Sequence, residues 1–423
     1  MNRDELRELS KEDLVELVLK LQRPAKTSRT SSRPPSTDHK EKRAASKPGG
    51  AKPGHKGHFR SLAEDPDQVV EHRPDRCSGC GHVFASDAPG EVLGAHDSVD
   101  LPPILPVVTR HQRLACACAG CGVVTKAAAA AGSPFGPNIQ ALALYLKHVQ
   151  HVSYQRLQAM FGDVFGLTIS QGALGNMFRR AQAAFGAKKD AILARLRTAD
   201  AVASDETGVR IEGVNAQHWV FRAPGVVLHE TAFSRAAQVV RDVMGGHRPA
   251  FWTSDRYSAQ QGHGQRHQTC LAHLARDIAF ALEVSDDPAP FWLKLWMDDV
   301  FALWRSLADT AASTVARKRR KLEDRIGQIL CSRSDCDVTS ALLRKIGNAR
   351  DQLLTFLDAP GLVQPTNNDC ERALRPAVIN RKVTNGFRSA WAAHADAALR
   401  TVIDTERLTG LSPYHAIRTT ISA

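Results

Sequence analysis

Three separated acids and two pairs of cysteines are the residues of this chain whose types and spacing could do chemistry. Asp205 stands in Ala203-Ser-Asp-Glu-Thr-Gly208 and Asp255 in Trp252-Thr-Ser-Asp-Arg-Tyr257. Each is expected to end a β-strand. A carboxylate at the end of a buried strand is exposed yet rigidly held, which suits a metal ligand. Glu371, in Asn367-Asn-Asp-Cys-Glu-Arg372, is expected to open a polar-faced helix. Asp and Glu offer hard oxygens to Mg²⁺, which keeps several waters besides them. Two such ions can activate an attacking oxygen and stabilise a leaving one in phosphoryl transfer. Taken singly, each acid is more often a solvated cap or loop residue than a metal ligand.

The cysteines suggest a second metal. Cys77-Ser-Gly-Cys80 and Cys118-Ala-Gly-Cys121 are CxxC knuckles with 37 residues between them. Each is followed at once by a glycine, Gly81 or Gly122, suited to the tight turn that aims amides at metal-bound sulfur. Four thiolates in a tetrahedral array make a closed structural Zn²⁺ site. Cys116 offers a fifth thiol, but CxxC spacing favours Cys118 with Cys121. The other cysteines, at 270, 331, 336 and 370, are scattered and read as ordinary residues.

Composition narrows the partners. The chain has 423 residues, with 56 Lys and Arg against 44 Asp and Glu, a formal charge of +12. Such an excess attracts polyanions, nucleic acid first, although an unrelated basic enzyme would look the same. Hydrophobic content is 43%, ordinary for a globular protein. No apolar run is long enough to span a membrane, and the charged N-terminus lacks a signal-peptide core. A cytoplasmic, bacterial nucleoid-associated location is expected.

The elements that must position these residues follow from pattern. Residues 1–23 read as a short helix, with Ser10 as N-cap, Asp13 at N3, and Leu14, Leu17 and Leu21 at coiled-coil spacing. It is a dimerisation stub or a solvated amphipathic helix. Residues 24–68 read as a disordered basic linker, rich in Pro, Gly, Ser and cations. Residues 69–126 hold the cysteine pairs and are expected to form a zinc ribbon. Residues 133–197 read as helical. Within them a helix from Tyr154 to Phe161, a turn near Gly166 and a second helix capped by Ser170 resemble a helix-turn-helix. Gln171, Asn176, Arg179 and Arg180 would then face DNA; an ordinary helix pair is the alternative. Residues 198–280 read as three meandering strands, an amphipathic helix and a fourth strand. Residues 281–365 read as a helical insertion with the aromatic cluster Phe291, Trp292, Trp296, Phe301 and Trp304. Residues 366–423 read as helices.

Seven short motifs occur in one order, and together they resemble the insertion sequence 66 family of DDE transposases. They are the leucine-bearing helix, Ser-Ser-Arg-Pro-Pro-Ser-Thr-Asp at 31–38 with the Lys-Pro-Gly-rich run at 47–57, and the two-CxxC ribbon. Then come Asp205-Glu206-Thr207, Ser254-Asp255-Arg256-Tyr257, Cys270-Leu-Ala-His273-Leu-Ala-Arg276, and Asn367-Asn368-Asp-Cys-Glu371-Arg372-Ala-Leu-Arg375. The resemblance covers nearly the whole chain. Arg256 departs from it, standing where a small residue such as Gly is expected.

The resemblance implies an α/β, ribonuclease H-like catalytic core interrupted by a helical insertion. It implies a triad of Asp205, Asp255 and Glu371 holding Mg²⁺ or Mn²⁺, with Arg372, Arg375, Arg381 and Lys382 on DNA phosphates. It implies metal-dependent strand cleavage and strand transfer at insertion-sequence ends. The expected partners are double-stranded DNA at the transposon ends and target, further copies of the chain on that DNA, and accessory proteins of the same element. Cys270 and His273 form half of a metal site at most; core packing with a capping histidine is the expected role. A non-catalytic zinc-ribbon DNA-binding protein and a nuclease that cuts without joining are the rival readings.

Overall fold

A computed structural model of the chain describes residues 10–22, 24–27, 29–31, 50–51, 54–57, 60–128 and 133–422. Most of the 31–38 motif and of the basic linker lies outside the described residues. The chain divides into two compact units, one of residues 40–108 and one of residues 1–39 with 109–423.

The first unit has little regular structure. Its clearest feature is the turn at Cys77–Cys80, clasped by an antiparallel bridge between Arg76 and Val83.

In the second unit, helix α1 (Lys11–Gln22) begins where Ser10 Oγ accepts a hydrogen bond from the Asp13 amide at 3.0 Å. Strands β1 (Ala115–Ala117) and β2 (Val124–Lys126) form a short hairpin around the second cysteine pair. Helices α2 (Pro137–His148), α3 (Tyr154–Phe165) and α4 (Gln171–Leu196) follow. Helix α3 stops at Gly166, whose φ of 62° lies in the left-handed region. The Ser170 hydroxyl caps α4 by accepting from the Ala173 amide. The 26 residues of α4 make it far longer than a recognition helix needs, and Leu174, Met177, Phe178 and Phe185 bury one side of it.

The central sheet has the order β5-β4-β3-β6-β7. Strands β3 (Ala201–Ile211), β4 (Val214–Ala223) and β5 (Val226–Ala232) are an antiparallel meander. Helix α5 (Ala237–Met244) then carries the chain across to β6 (Phe251–Ser254), parallel to β3, and β7 (Arg266–Thr269) adds parallel to β6. The three expected strands, the helix and the fourth strand are all present; β7 is an addition. A five-stranded mixed sheet of this kind, flanked by helices, is consistent with a ribonuclease H-like core.

Both faces of the sheet are covered. Val202, Trp219, Phe221, Leu228 and Trp252 belong to one core with residues of α2–α5 and of α11 (Ala390–Arg407). On the opposite face, Val220 and Val227 pack against Cys370 and Leu374 of α10 (Asn368–Thr384). Helix α12 (Pro413–Thr420) closes the chain.

The insertion is helical, as its charge and spacing suggest. Its expected span, 281–365, holds the end of α6 (Leu271–Val284), which begins in the part read as core, and then α7 (Pro288–Arg305), α8 (Ala312–Leu330) and α9 (Asp337–Gly347). Trp296 is fully buried at its centre and donates its indole N–H to the Leu322 carbonyl at 2.9 Å. The aromatic cluster is only partly a core: Phe301 and Trp304 pack against it, while Phe291 and Trp292 are exposed.

Each edge of the sheet is occupied. Thr401 and Thr405, one turn apart on α11, accept hydrogen bonds from the amides of His229 (2.8 Å) and Val227 (3.1 Å) on β5. At the other edge, Thr355 donates to the His267 carbonyl of β7 at 2.8 Å.

Candidate active site

Asp205 lies in the middle of β3 rather than at its end, because the pairing with β4 continues unbroken to Ile211. Successive side chains of a strand point to opposite faces. Asp205 therefore shares a face with Ala203 and Val209, the face that α10 covers, and Glu206 faces the other way. Glu206 is fully engaged there. Arg235 donates to it at 2.8 and 2.6 Å, Gln260 donates to it at 2.7 Å, and the Arg235 guanidinium stacks 3.9 Å from the Tyr257 ring centre. Of two adjacent acids, only Asp205 is left facing the third one.

Asp255 follows β6 directly, as expected from the sequence. Its Oδ1 accepts from the Tyr257 amide at 2.8 Å, and its carbonyl accepts from Gln261 and from the Ser254 hydroxyl, both at 3.0 Å. Arg256 fits this turn. Among the described residues the non-glycine positions with positive φ are His151, Glu212 and Asn385, so the turn does not demand glycine at 256.

Glu371 sits in the first turn of α10, as expected. That helix is fixed where the chain enters it. Asn367 donates its side-chain N–H to the Ser204 carbonyl at 2.8 Å and its amide to Cys270 Sγ at 3.1 Å. Cys270 is thus a buried core residue, as expected. The expected capping role of His273 is not seen: no side chain caps α6, and His273 Nε2 instead stands 3.8 Å from Glu371 Oε1, with Arg276 3.5 Å from the same oxygen.

Electrostatics tie the acids together. Burial pushes the Asp205 carboxyl well above the usual carboxylate range, and the nearby charges of Glu206, Asp255 and Glu371 add to the effect. Burial pushes the His273 imidazole below its usual range, with Arg276 reinforcing the shift while Glu371 and Asp255 oppose it.

The donor set fits a hard divalent cation: three carboxylates, one of them destabilised by burial among like charges. Three buried polar atoms beside them also have no partner among the described residues: Asn367 Oδ1, His273 Nδ1 and Arg276 Nε. A finished cage is absent, however. Among the described residues no three His, Cys, Asp or Glu side chains are gathered tightly enough to hold an ion as they stand. Glu371 is instead engaged by Arg276 and His273.

The expected basic residues are divided in their duties. Arg375 and Lys382 are exposed on α10. Arg372 is exposed and paired with Asp369, whereas Arg381 donates to the Gly208 carbonyl and pins α10 to β3. On α4, Arg179 stacks 4.8 Å from the Trp391 ring centre, and Arg180 donates to the Ser133 hydroxyl at 3.1 Å.

The cysteine knuckles repeat one local geometry. The Gly81 amide donates to the Cys77 carbonyl at 2.9 Å, and the Gly122 amide to the Cys118 carbonyl at 2.8 Å. Both glycines have φ near +75°, at 75° and 73°. Hydrogen bonds from the Cys80 and Gly79 amides lower the Cys77 thiol, and a bond from the Gly120 amide, then Cys121, lowers Cys118. Thiolate formation favours metal binding. The knuckles belong to different compact units, so each stands here by itself. Cys116 lies on β1, paired with Thr125.

Fold and acids together define a candidate polynucleotide-processing core. Residues 132–395 match the family model described as Transposase IS66 family, which spans both strands bearing the aspartates, the insertion and Glu371. The chain belongs to the IS66 family of transposases. A relative in Sinorhizobium fredii, "Uncharacterized protein y4jD", is 23% identical over 388 residues, covering 82% of this chain and 74% of that protein. Membership brings a phosphoryl-transfer chemistry, a divalent metal and DNA as the partner. No helix among the described residues is long and apolar enough to cross a membrane.

Proposed function

We propose that the chain catalyses metal-dependent DNA strand cleavage and strand transfer at insertion-sequence ends, with Asp205, Asp255 and Glu371 as the metal-holding triad. One observation carries this reading: burial first, then the charges of Glu206, Asp255 and Glu371, raise the Asp205 carboxyl, although Asp255 and Glu371 lie 50 and 166 positions along the chain from it. Acids held against their own ionisation by burial and like charge cluster at functional sites, which supports the reading.

Bound there, Mg²⁺ or Mn²⁺ supplies an activated attacking oxygen and a stabilised leaving oxygen. This chain's own residues do the rest. Asp205 and Asp255 are held on the rigid sheet, one by strand pairing and one by the Tyr257 amide. Glu371 is carried on α10 and steadied by Arg276. Arg372, Arg375 and Lys382 lie on the same helix and hold DNA phosphates, with Arg381 fixing the helix itself. Arg179 and Arg180 on α4 contribute contacts to the element's ends. Cys77, Cys80, Cys118 and Cys121 hold one structural Zn²⁺, supported by the matching knuckles.

The test is cleavage of the DNA ends flanking the gene, in Mg²⁺ or Mn²⁺, by the parent chain and by Asp205→Asn, Asp255→Asn and Glu371→Gln. Each variant should lose orders of magnitude in cleavage while still binding DNA. Near-parental cleavage by folded Glu371→Gln would sink the triad. Products that are cut but never joined would favour the nuclease.

A further inference from the structure

Helix α8 of the insertion carries the run Arg317-Lys-Arg-Arg-Lys321, and its six basic residues face only two acids, Glu323 and Asp324. Leu322, Ile326 and Ile329 turn inward at helical spacing and fix which side is buried. Arg319 also turns inward. It pairs with Glu323 at 2.7 Å and with Asp358 at 2.6 Å. Arg325 is paired with Asp299. The other four, Arg317, Lys318, Arg320 and Lys321, are exposed, and no ion pair engages them among the described residues.

This arrangement is unfavourable for the isolated protein. Arg317 lies one turn from both Arg320 and Lys321, and Lys318 one turn from Lys321; like charges at these spacings repel. The run also lies in the helix's first half, nearer the positive than the negative end of its dipole. A merely solubilising surface intersperses its signs instead.

We infer that the exposed face of α8, through Arg317, Lys318, Arg320 and Lys321, is a second binding surface for duplex DNA, away from the metal-holding acids. The inference rests on the proposed action on DNA. Polyphosphate is the occupant that four clustered, unpaired cations on one rigid helix fit, and a counterion-releasing contact needs no sequence.

Topology sets its distance from the chemistry. Asp358, which holds Arg319, also pairs with Arg266, the first residue of β7. Arg266 is level with Phe251, at the start of β6, whereas Asp255 follows the end of that strand. Some four residues of strand, roughly 13 Å, separate the two levels.

The test is the salt dependence of binding to a random-sequence duplex of about 40 base pairs, followed by fluorescence anisotropy with the full chain. The variant changes Arg317, Lys318, Arg320 and Lys321 together to Gln, which keeps helix propensity. The slope of log affinity against log salt should become shallower by about 3 to 4. Relief of repulsion should leave the variant's Tm unchanged or higher. The double variant Arg317→Gln/Lys321→Gln should lose about half of the slope change. Arg319→Gln should instead lower Tm and leave the slope alone. An unchanged slope in a parent that binds and cleaves DNA, with both multiple variants folded, overturns this inference and spares the proposed function. A parent that binds no duplex overturns both.

Discussion

Arg276 comes within 3.5 Å of Glu371 across 95 positions of sequence, linking the first helix after Asp255 to the helix that brings the third acid. The partners are about a quarter to a third exposed, so the pair gains little as a salt bridge. Its effect is on where Glu371 stands. Arg276→Gln should reduce cleavage at transposon ends by roughly 10–100-fold, the usual cost of losing a group that orients a metal ligand. Raising Mn²⁺ should recover part of the loss. Cleavage equal to the parent's at every metal concentration would leave Arg276 a surface residue.

Asp205 gives a stability prediction of unusual sign. Its folded carboxyl titrates above its unfolded value, so the native state holds the proton more tightly. Stability from this group is therefore greatest at low pH and is lost as pH rises above the unfolded value of 3.8 through the raised folded one. In metal-free protein at neutral pH, Asp205→Asn should be more stable than the parent. Mg²⁺ should raise the parent's Tm and move the variant's far less. Thermal melts with and without the ion check both halves.

His151 should show the opposite dependence. Burial, reinforced by Arg400, pushes its imidazole down to about 4 from 6.5. A depressed histidine stabilises the fold fully above pH 6.5 and loses that contribution as pH falls toward about 4. Its backbone has φ 57°, a left-handed conformation that Asn tolerates better than most residues. His151→Asn should thus fold and flatten the decline in stability between pH 6.5 and 4.5. Urea titrations at the two pH values would show it, and equal slopes for parent and variant would refute it.

Zinc can be counted. Purified chain should carry one Zn²⁺, released by Cys77→Ser, Cys80→Ser, Cys118→Ser or Cys121→Ser and retained by Cys116→Ser. Elemental analysis distinguishes the cases. Full zinc content in Cys118→Ser, with loss in Cys116→Ser, would move the ligand two residues back, onto β1.

Much of this was legible in the sequence for a physical reason: long alternating strands and capped helices announce themselves locally. The meander of β3, β4 and β5, the Ser170 cap and the helical insertion are of that kind. What stayed hidden depends on the third dimension. Strand β7, Arg-His-Gln-Thr, is too short and polar to show a period of two. That Glu206 turns away from α10, into a bond with Arg235, needed to know which face that helix covers. The part played by His273 and Arg276 needed the approach of Glu371 from far along the chain. Their shared His-x-x-Arg spacing, which puts both on one side of a helix, was the signal available.

The threonines of α11 that close the free edge of β5 carry a consequence for assembly. An open edge is a template on which another chain can add a strand. Here hydroxyls stand where a sixth strand's carbonyls would, and β7 at the far side is four residues long with Thr355 against it. The central sheet cannot be continued from one copy into the next. A contact between two copies, were one to form, would therefore leave the pairing of β3 and β6, which positions Asp205 and Asp255, without an added strand.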